Sequence, residues 1–215
     1  MNRPGDEVLA EGRKELNLVT VKQGCELCGS DVTGNRSIKY LCRRCNVLYD
    51  FKMIGLFIGR FQPFHKGHLQ VIRNALEEVE AITIVVAIPL RDTGRDPFTA
   101  EERIGMIQSA LEKESIRNYD IVAIKDIPSD EEYVNHVRAF TKPFNVVFVG
   151  DNKLNEKLFR EAGFRVITSQ RFFNLDATQI RDRMRKGEEW EHLVPAGTVD
   201  YIKEHDLVDK VKDRE

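Results

Sequence analysis

The chain has 215 residues, 41% hydrophobic and 32% charged, a balance that fits one globular domain with an appendage and excludes a disordered or fibrous protein. Its formal charge of −2 gives nucleic acid and anionic membranes no general attraction. The longest apolar stretch, 81–90, is far short of a membrane span. The N-terminus is polar and carries early acid, unlike a secretory signal, so a cytoplasmic protein is expected.

In chain order, the first features are four cysteines, Cys25, Cys28, Cys42 and Cys45, in two C-x2-C pairs separated by thirteen residues. A reducing cytosol disfavours disulfides, and a redox site needs only one such pair. Two pairs delivered by tight turns complete a closed tetrahedral thiolate shell. Structural Zn2+ is therefore the expected ligand, with iron on the same sulfurs as the competitor. Gly29 and the Gly34-Asn35 pair supply turns, and 38–41 reads as a strand, which makes residues 1–52 a small zinc ribbon. A closed shell leaves no position for substrate, so no zinc chemistry is expected. Residues 1–52 hold nine Lys and Arg against seven Asp and Glu. Zinc on four thiolates would offset that excess, so the ribbon is not a basic patch. Nucleic acid is not an expected partner, unless through Arg43 and Arg44 of this unit.

From Met53 the pattern changes to alternating strands and helices. Residues 54–58 read as a buried strand, and Leu69, Ile72, Leu76 and Val79 recur at helical spacing. A second buried strand covers 81–88. Thr99 and Glu102 form a capping box that opens a helix through Ile107 and Leu111. A third strand spans 121–127, a helix 131–140, and a fourth strand 146–149, ended by Gly150. A helix over 154–162 and a fifth strand over 165–168 follow, and the tail from 177 is helical. Near-continuous apolar strands that alternate with helices predict an α/β unit over 53–215. Its architecture is a Rossmann-like open parallel sheet with helices on both faces. Ligands in such sheets bind beyond the carboxyl ends of the strands.

The loop after the first of these strands reads Gly59-Arg60-Phe61-Gln62-Pro63-Phe64-His65-Lys66-Gly67-His68. It falls between a strand end and a helix start, where free backbone N–H groups and the helix dipole favour a phosphate. His65 and His68, three apart, can both face one ligand, and Gly67 lets the backbone approach closely. A metal site on the two histidines would need a third ligand, and His136, His192 and His205 show no matching motif.

This segment resembles the G-R-F-Q-P-F-H-x-G-H signature of the H-x-G-H nucleotidyltransferases, in particular the archaeal nicotinamide mononucleotide adenylyltransferases. The resemblance continues through 96–103 (Asp-Pro-Phe-Thr-Ala-Glu-Glu-Arg), through Thr178-Gln179-Ile180-Arg181 and through 190–195 (Trp-Glu-His-Leu-Val-Pro). The ribbon lies outside it. The resemblance implies transfer of AMP from ATP to nicotinamide mononucleotide (NMN), giving NAD and pyrophosphate. It implies Mg2+ travelling with ATP, His65 and His68 on the phosphates, and Arg60 and Arg181 taking up their charge. Gly59, Phe61 and Gly67 would line the nucleotide, Thr178 would donate to phosphate, and Gly150 and Asn152 would meet the adenosine. Arg103 would point into the substrate pocket and Tyr133 would stack on the nicotinamide ring. A homo-oligomer is also in keeping with the resemblance.

Three positions depart from the family pattern. Asp176 stands where a small residue is usual, so it must cap the helix or hold Mg2+. Tyr133 replaces a tryptophan. The segment 89–95, with Arg91 and Arg95, lacks a Gly-Ser-Ala run. The same phosphate cradle would also serve CTP or another phosphorylated acceptor. A reading of a different class is a non-catalytic nucleotide sensor whose ribbon binds nucleic acid or protein.

Overall fold

In the computed structural model the chain divides into two compact units, Met1–Lys52 and Met53–Glu215. The structure describes the backbone of four strands in the first unit, then residues 52–91, 94, 96–150, 152–168 and 175–212. Among these, no helix is long and apolar enough to cross a membrane.

The first unit contains an antiparallel meander: β1 (Val19–Gly24), β2 (Asp31–Gly34), β3 (Tyr40–Cys42) and β4 (Val47–Tyr49), in that spatial order. The β1–β2 register shifts between Val21 and Gly24. Cys25, Cys28 and Cys45, and so the expected zinc shell, lie outside the described residues. Cys42 closes β3.

The second unit is built on a five-stranded parallel sheet of β5 (Ile54–Gly59), β6 (Ala81–Ile88), β7 (Tyr119–Lys125), β8 (Val146–Val149) and β9 (Arg165–Thr168). The spatial order is β7-β6-β5-β8-β9. The chain steps outward from β5 to β7, then returns to the other side of β5 for β8 and β9. Right-handed crossovers therefore place α1 (Lys66–Glu78) and α2 (Ala100–Lys113) on one face and α4 (Lys153–Glu161) on the other. Helix α3 (Asp130–Phe140) packs with α4: Val134, Val137 and Phe159 share a buried cluster with Leu56, Val85, Val147 and Val149. Residues one step out of phase on the strands, Phe57, Ile84, Val86 and Phe148, are buried as well. The reversal of strand order at β5 and β8 opens a crevice at their carboxyl ends, which is where this topology accepts ligands.

The expected third strand is displaced by two residues, and β7 is only half-buried along most of its length. It is the edge strand next to β6, paired on one side only. The tail forms α5 (Ala177–Lys186), a 3-10 turn (Glu191–Leu193), α6 (Ala196–Glu204) and α7 (Leu207–Lys212). Helices α2 and α6 touch almost backbone to backbone. A Cβ at Gly197 would lie 2.1 Å from the Ser109 carbonyl oxygen, and one at Gly105 would lie 2.2 Å from the Tyr201 ring.

Candidate active site

The β5–α1 loop is held from several directions. Phe61 adopts a left-handed backbone with φ of 54°, unusual for a bulky residue. Its ring is buried and folds back over β5, so that a Cβ at Gly59 would meet it at 2.8 Å. The neighbouring Gln62 is buried too and clamps Phe98 in both directions. Its Nε2 donates to the Phe98 carbonyl at 2.8 Å, and the Phe98 N–H donates to its Oε1 at 3.0 Å. This ties the loop to the segment that opens α2.

His65 is the N-cap of α1, and with His68 it forms a reciprocal capping box. The His68 N–H donates to His65 Nδ1 at 3.4 Å and the His65 N–H donates to His68 Nδ1 at 3.2 Å. The imidazoles stack with centroids 3.5 Å apart. His68 also lies edge-on to Phe61 at 4.8 Å and stacked near Phe64 at 5.6 Å. Because both Nδ1 atoms accept backbone hydrogens, a neutral ring must carry its proton on Nε2. Burial, followed by the charge of His65, holds the His68 pKa well below its ordinary value, so His68 is neutral near pH 7. Neutral His68 thus carries its one ring proton on Nε2, as a hydrogen-bond donor.

Three arginines surround this loop in different ways. Arg60 is half exposed and lies 3.5 Å from Asp96, whose side chain is only 8% exposed. Arg103 is 2% exposed. Its Nε donates to the Thr99 carbonyl at 3.1 Å, and its Nη1 donates to the carbonyls of Arg60 at 2.7 Å and Ala87 at 2.8 Å. Its fork therefore fastens the ends of β5 and β6 to the start of α2. Arg181 is 6% exposed and donates from Nη1 to the Gln62 carbonyl at 2.7 Å and from Nη2 to Thr178 Oγ1 at 3.3 Å. Its Nε is buried with no hydrogen-bond partner among the described residues.

Asp176 caps α5: its Oδ1 accepts from the Thr178 N–H at 2.6 Å and from the Gln179 N–H at 3.0 Å. Of the two Thr178 donors expected for phosphate, only the hydroxyl stays available. Asn152 is likewise a cap, since its side chain accepts from the Asn155 N–H at 3.1 Å at the start of α4. A Cβ at Gly150 meets nothing within 4 Å. Tyr133 lies edge-on to Phe159 at 6.4 Å. Burial and then the Asp126 charge push its hydroxyl up to about 12, against a hydrogen bond with the Asn155 side chain. Arg91 is exposed, and Arg95 lies outside the described residues.

The model of the cytidylyltransferase-like family matches residues 56–194. A nicotinamide-nucleotide adenylyltransferase of Thermococcus sibiricus is 41% identical over 165 residues, covering 74% of this chain and 88% of that protein. One of Methanococcus vannielii is 43% identical over 164 residues, covering 74% and 94%. The chain belongs to the cytidylyltransferase-like family. Solved structures share its fold. A bifunctional NMN adenylyltransferase/ADP ribose pyrophosphatase of Francisella tularensis, complexed with AMP and a Mn ion, superposes with TM-score 0.62 at 24% identity. The match covers 75% of this chain and 52% of that one, so the chain spans about half of the bifunctional protein. A structure named as a candidate nicotinate-nucleotide adenylyltransferase of Vibrio parahaemolyticus gives 0.53 at 12% identity, covering 76% and 97%.

Within this family frame, hydrogen bonds and an ion pair join His65 to His68, Arg60 to Arg103 and Asp96, and Arg181 to Gln62 and Thr178. Gly150, Asn152 and Tyr133 follow the carboxyl ends of β7 and β8 and touch none of those groups through a described bond. Sequence reasoning did not single out Gln62, Asp96, Asp126 or Asn155. Gln62 and Asp96 stand inside quoted motifs, where their fixed neighbours were the available signal. Asp126 and Asn155 carry no local signature.

Proposed function

We propose that the chain is an adenylyltransferase that transfers AMP from ATP to NMN. An oxygen of the NMN 5′-phosphate bonds to the α-phosphorus of ATP. The bond from that phosphorus to the bridging oxygen of the β-phosphate breaks, and the electron pair leaves with pyrophosphate. The nucleophile is already an anion, so no base is required. The protein's contribution is alignment and charge stabilisation. The observation that carries this reading is the stacked His65–His68 pair at the start of α1, where each Nδ1 accepts a backbone N–H and so puts the ring proton of neutral His68 on Nε2, a donor suited to phosphate.

The other roles follow from what each group has left to give. Arg60 keeps a half-exposed fork, and the buried Nε–H of Arg181, which has no acceptor among the described residues, would donate to a triphosphate oxygen. Thr178 gives its hydroxyl. Gly59, Phe61 and Gly67 shape the loop against the nucleotide, and Gly150 leaves open space beside β8 for the adenosine. Asn152 contributes its amide N–H2, since its carbonyl oxygen caps α4. Tyr133 stacks on the pyridinium ring. Arg103 acts as a positioning residue for the loop, a change from the substrate-contacting role that the resemblance implied. Mg2+ adds charge neutralisation on the phosphates. It fits as a cation carried by the nucleotide, because among the described residues no group of three His, Cys, Asp or Glu could hold a metal.

The test is pyrophosphate release with each nucleotide and acceptor. ATP with NMN is expected to exceed every other pair by a wide margin. CTP turnover as fast, or a pantetheine or flavin phosphate accepted as well, would overturn the assignment.

For the first unit we propose one structural Zn2+ held by Cys25, Cys28, Cys42 and Cys45, in a cytosolic protein where thiolates persist. The strand order supports this. One cysteine pair lies in sequence between β1 and β2. The other runs from the end of β3 toward β4, and in an antiparallel meander those two connections leave from the same end of the sheet. One zinc per chain is expected by metal analysis, and Cys42→Ser should lose it; a stoichiometry near zero in freshly isolated wild type would end this reading.

A further inference from the structure

Asp96 belongs to the 96–103 segment but has no part in the chemistry above. Its side chain is only 8% exposed, and its Oδ2 lies 3.5 Å from Nη1 of Arg60. The backbones that carry this pair are stitched together. Gln62, two residues after Arg60, bonds both the N–H and the carbonyl of Phe98, two residues after Asp96. The Arg60 carbonyl in turn accepts from Arg103 Nη1 at 2.7 Å. Between Asp96 and Phe98 stands Pro97, which is buried and whose ring fixes φ. The carboxylate therefore has a fixed place. The Arg60 side chain is 53% exposed, and without that anchor its long stem would sample many rotamers.

A carboxylate beside a phosphate-binding arginine has two opposed effects. It repels a triphosphate, which weakens binding of the ground state. It also confines the guanidinium, so the fork need not be ordered during the reaction. The second effect favours the step in which charge passes to the leaving pyrophosphate. Water screens the pair weakly, because Asp96 is enclosed on most sides. We propose that Asp96 is a positioning residue for AMP transfer: its carboxylate holds the Arg60 guanidinium in the orientation that meets the phosphates of ATP. This rests on the reaction and on the role of Arg60 given above. Burial lowers the pKa of Arg103 and of Arg181, and the Asp96 charge works against that in both. One acid thus serves three neighbouring cations, and only Arg60 among them has an exposed fork.

The test is a double-mutant cycle on kcat and on the KM for ATP, with NMN as acceptor and the full-length protein. Asp96→Asn, which keeps the outline and removes the charge, should lower kcat about tenfold without raising the KM for ATP. Asp96→Ser should do the same. Arg60→Ala should cost more than either, measured at high protein concentration. In that background Asp96→Asn should change kcat by less than about twofold, because the group it acts through is gone. Glu112→Gln, which breaks the exposed pair of Glu112 with Arg117 at 3.6 Å, should leave both constants unchanged. Thermal melting of each variant checks that it folds. Losses of kcat that multiply in the double variant overturn the proposal, since Asp96 would then act independently of Arg60. A raised KM for ATP, an unchanged kcat in both single Asp96 variants, or loss of the fold in both also overturns it. A wild type that releases no pyrophosphate from ATP with NMN refutes the reaction first, and the role of Asp96 falls with it.

Discussion

Helices α1 and α5 both begin beside the same loop, and both are capped by a side chain that accepts backbone N–H groups. The caps differ in what they leave exposed. His65 gives α1 a ring nitrogen, a cap that brings no negative charge to the helix start. Asp176 gives α5 a carboxylate, which satisfies Thr178 and Gln179 and brings a negative charge to the place where a phosphate would otherwise sit. A helix N-terminus is thus an anion site only if its cap is neutral or absent. In the function proposed above α1 is such a site, whereas α5 would contribute through its side chains, Arg181 and the Thr178 hydroxyl.

The sharpest way to break this contrast is His68→Ala. It removes a donor from the α1 site and is expected to cost roughly 100-fold or more in turnover while the far-UV spectrum is kept. Full activity in that variant would take the histidine pair out of the chemistry. Next comes Gln62→Ala, which leaves the Phe98 N–H and carbonyl unpaired in the interior. Urea unfolding should show a loss of about 2–3 kcal/mol, with turnover falling because the loop is no longer tied to α2.

The third test is pH. His68 has a native pKa below its ordinary 6.5, so between those two values the unfolded chain binds a proton that the folded chain does not. Stability from this group is complete above pH 6.5 and declines as pH falls below it, by at most about 1.4 kcal/mol per pH unit. His68→Gln should flatten that slope in urea midpoints followed against pH. The smallest effect is at α5. Asp176→Ala should lose about 1 kcal/mol of stability with the cap, yet lower the KM for ATP as the repulsive charge goes. Asp176→Asn should keep most of the stability and still lower the KM. A KM that rises in both variants would make Asp176 a partner of the bound nucleotide's cation instead.

Much of the fold was legible because strand and helix patterns alternate in the sequence, with turn residues between them. The capping box of Thr99 and Glu102 appears as expected, and the ten-residue loop sits at the end of β5 as its position between a strand and a helix required. What the sequence could not reveal is where polar side chains find backbone partners. The resemblance put Arg103 at the substrate pocket; nothing in the sequence signalled that it also donates to the carbonyls of Thr99, Arg60 and Ala87, two of them remote in sequence. Asn152 is a cap for the same kind of reason, and Asp176 takes the first of the two roles expected of it: short polar side chains next to a helix start answer local N–H groups before any ligand arrives. Asp96 was invisible as a partner of Arg60 because the two meet only in the folded chain. The bounds of β7 lie two residues earlier than expected, because strand ends carry a weaker signal than strand centres.

The contact of Gly105 with Tyr201 and of Gly197 with Ser109 gives the order of synthesis a role. Helix α2 carries Arg103, the fastener of the nucleotide loop, yet one of its sides stays bare until α6 has been translated. The loop leaves the ribosome early and gains its final anchorage only when nearly the whole chain has emerged. Truncations that remove α6 should therefore fail at the loop, far from the cut, before they fail in the sheet.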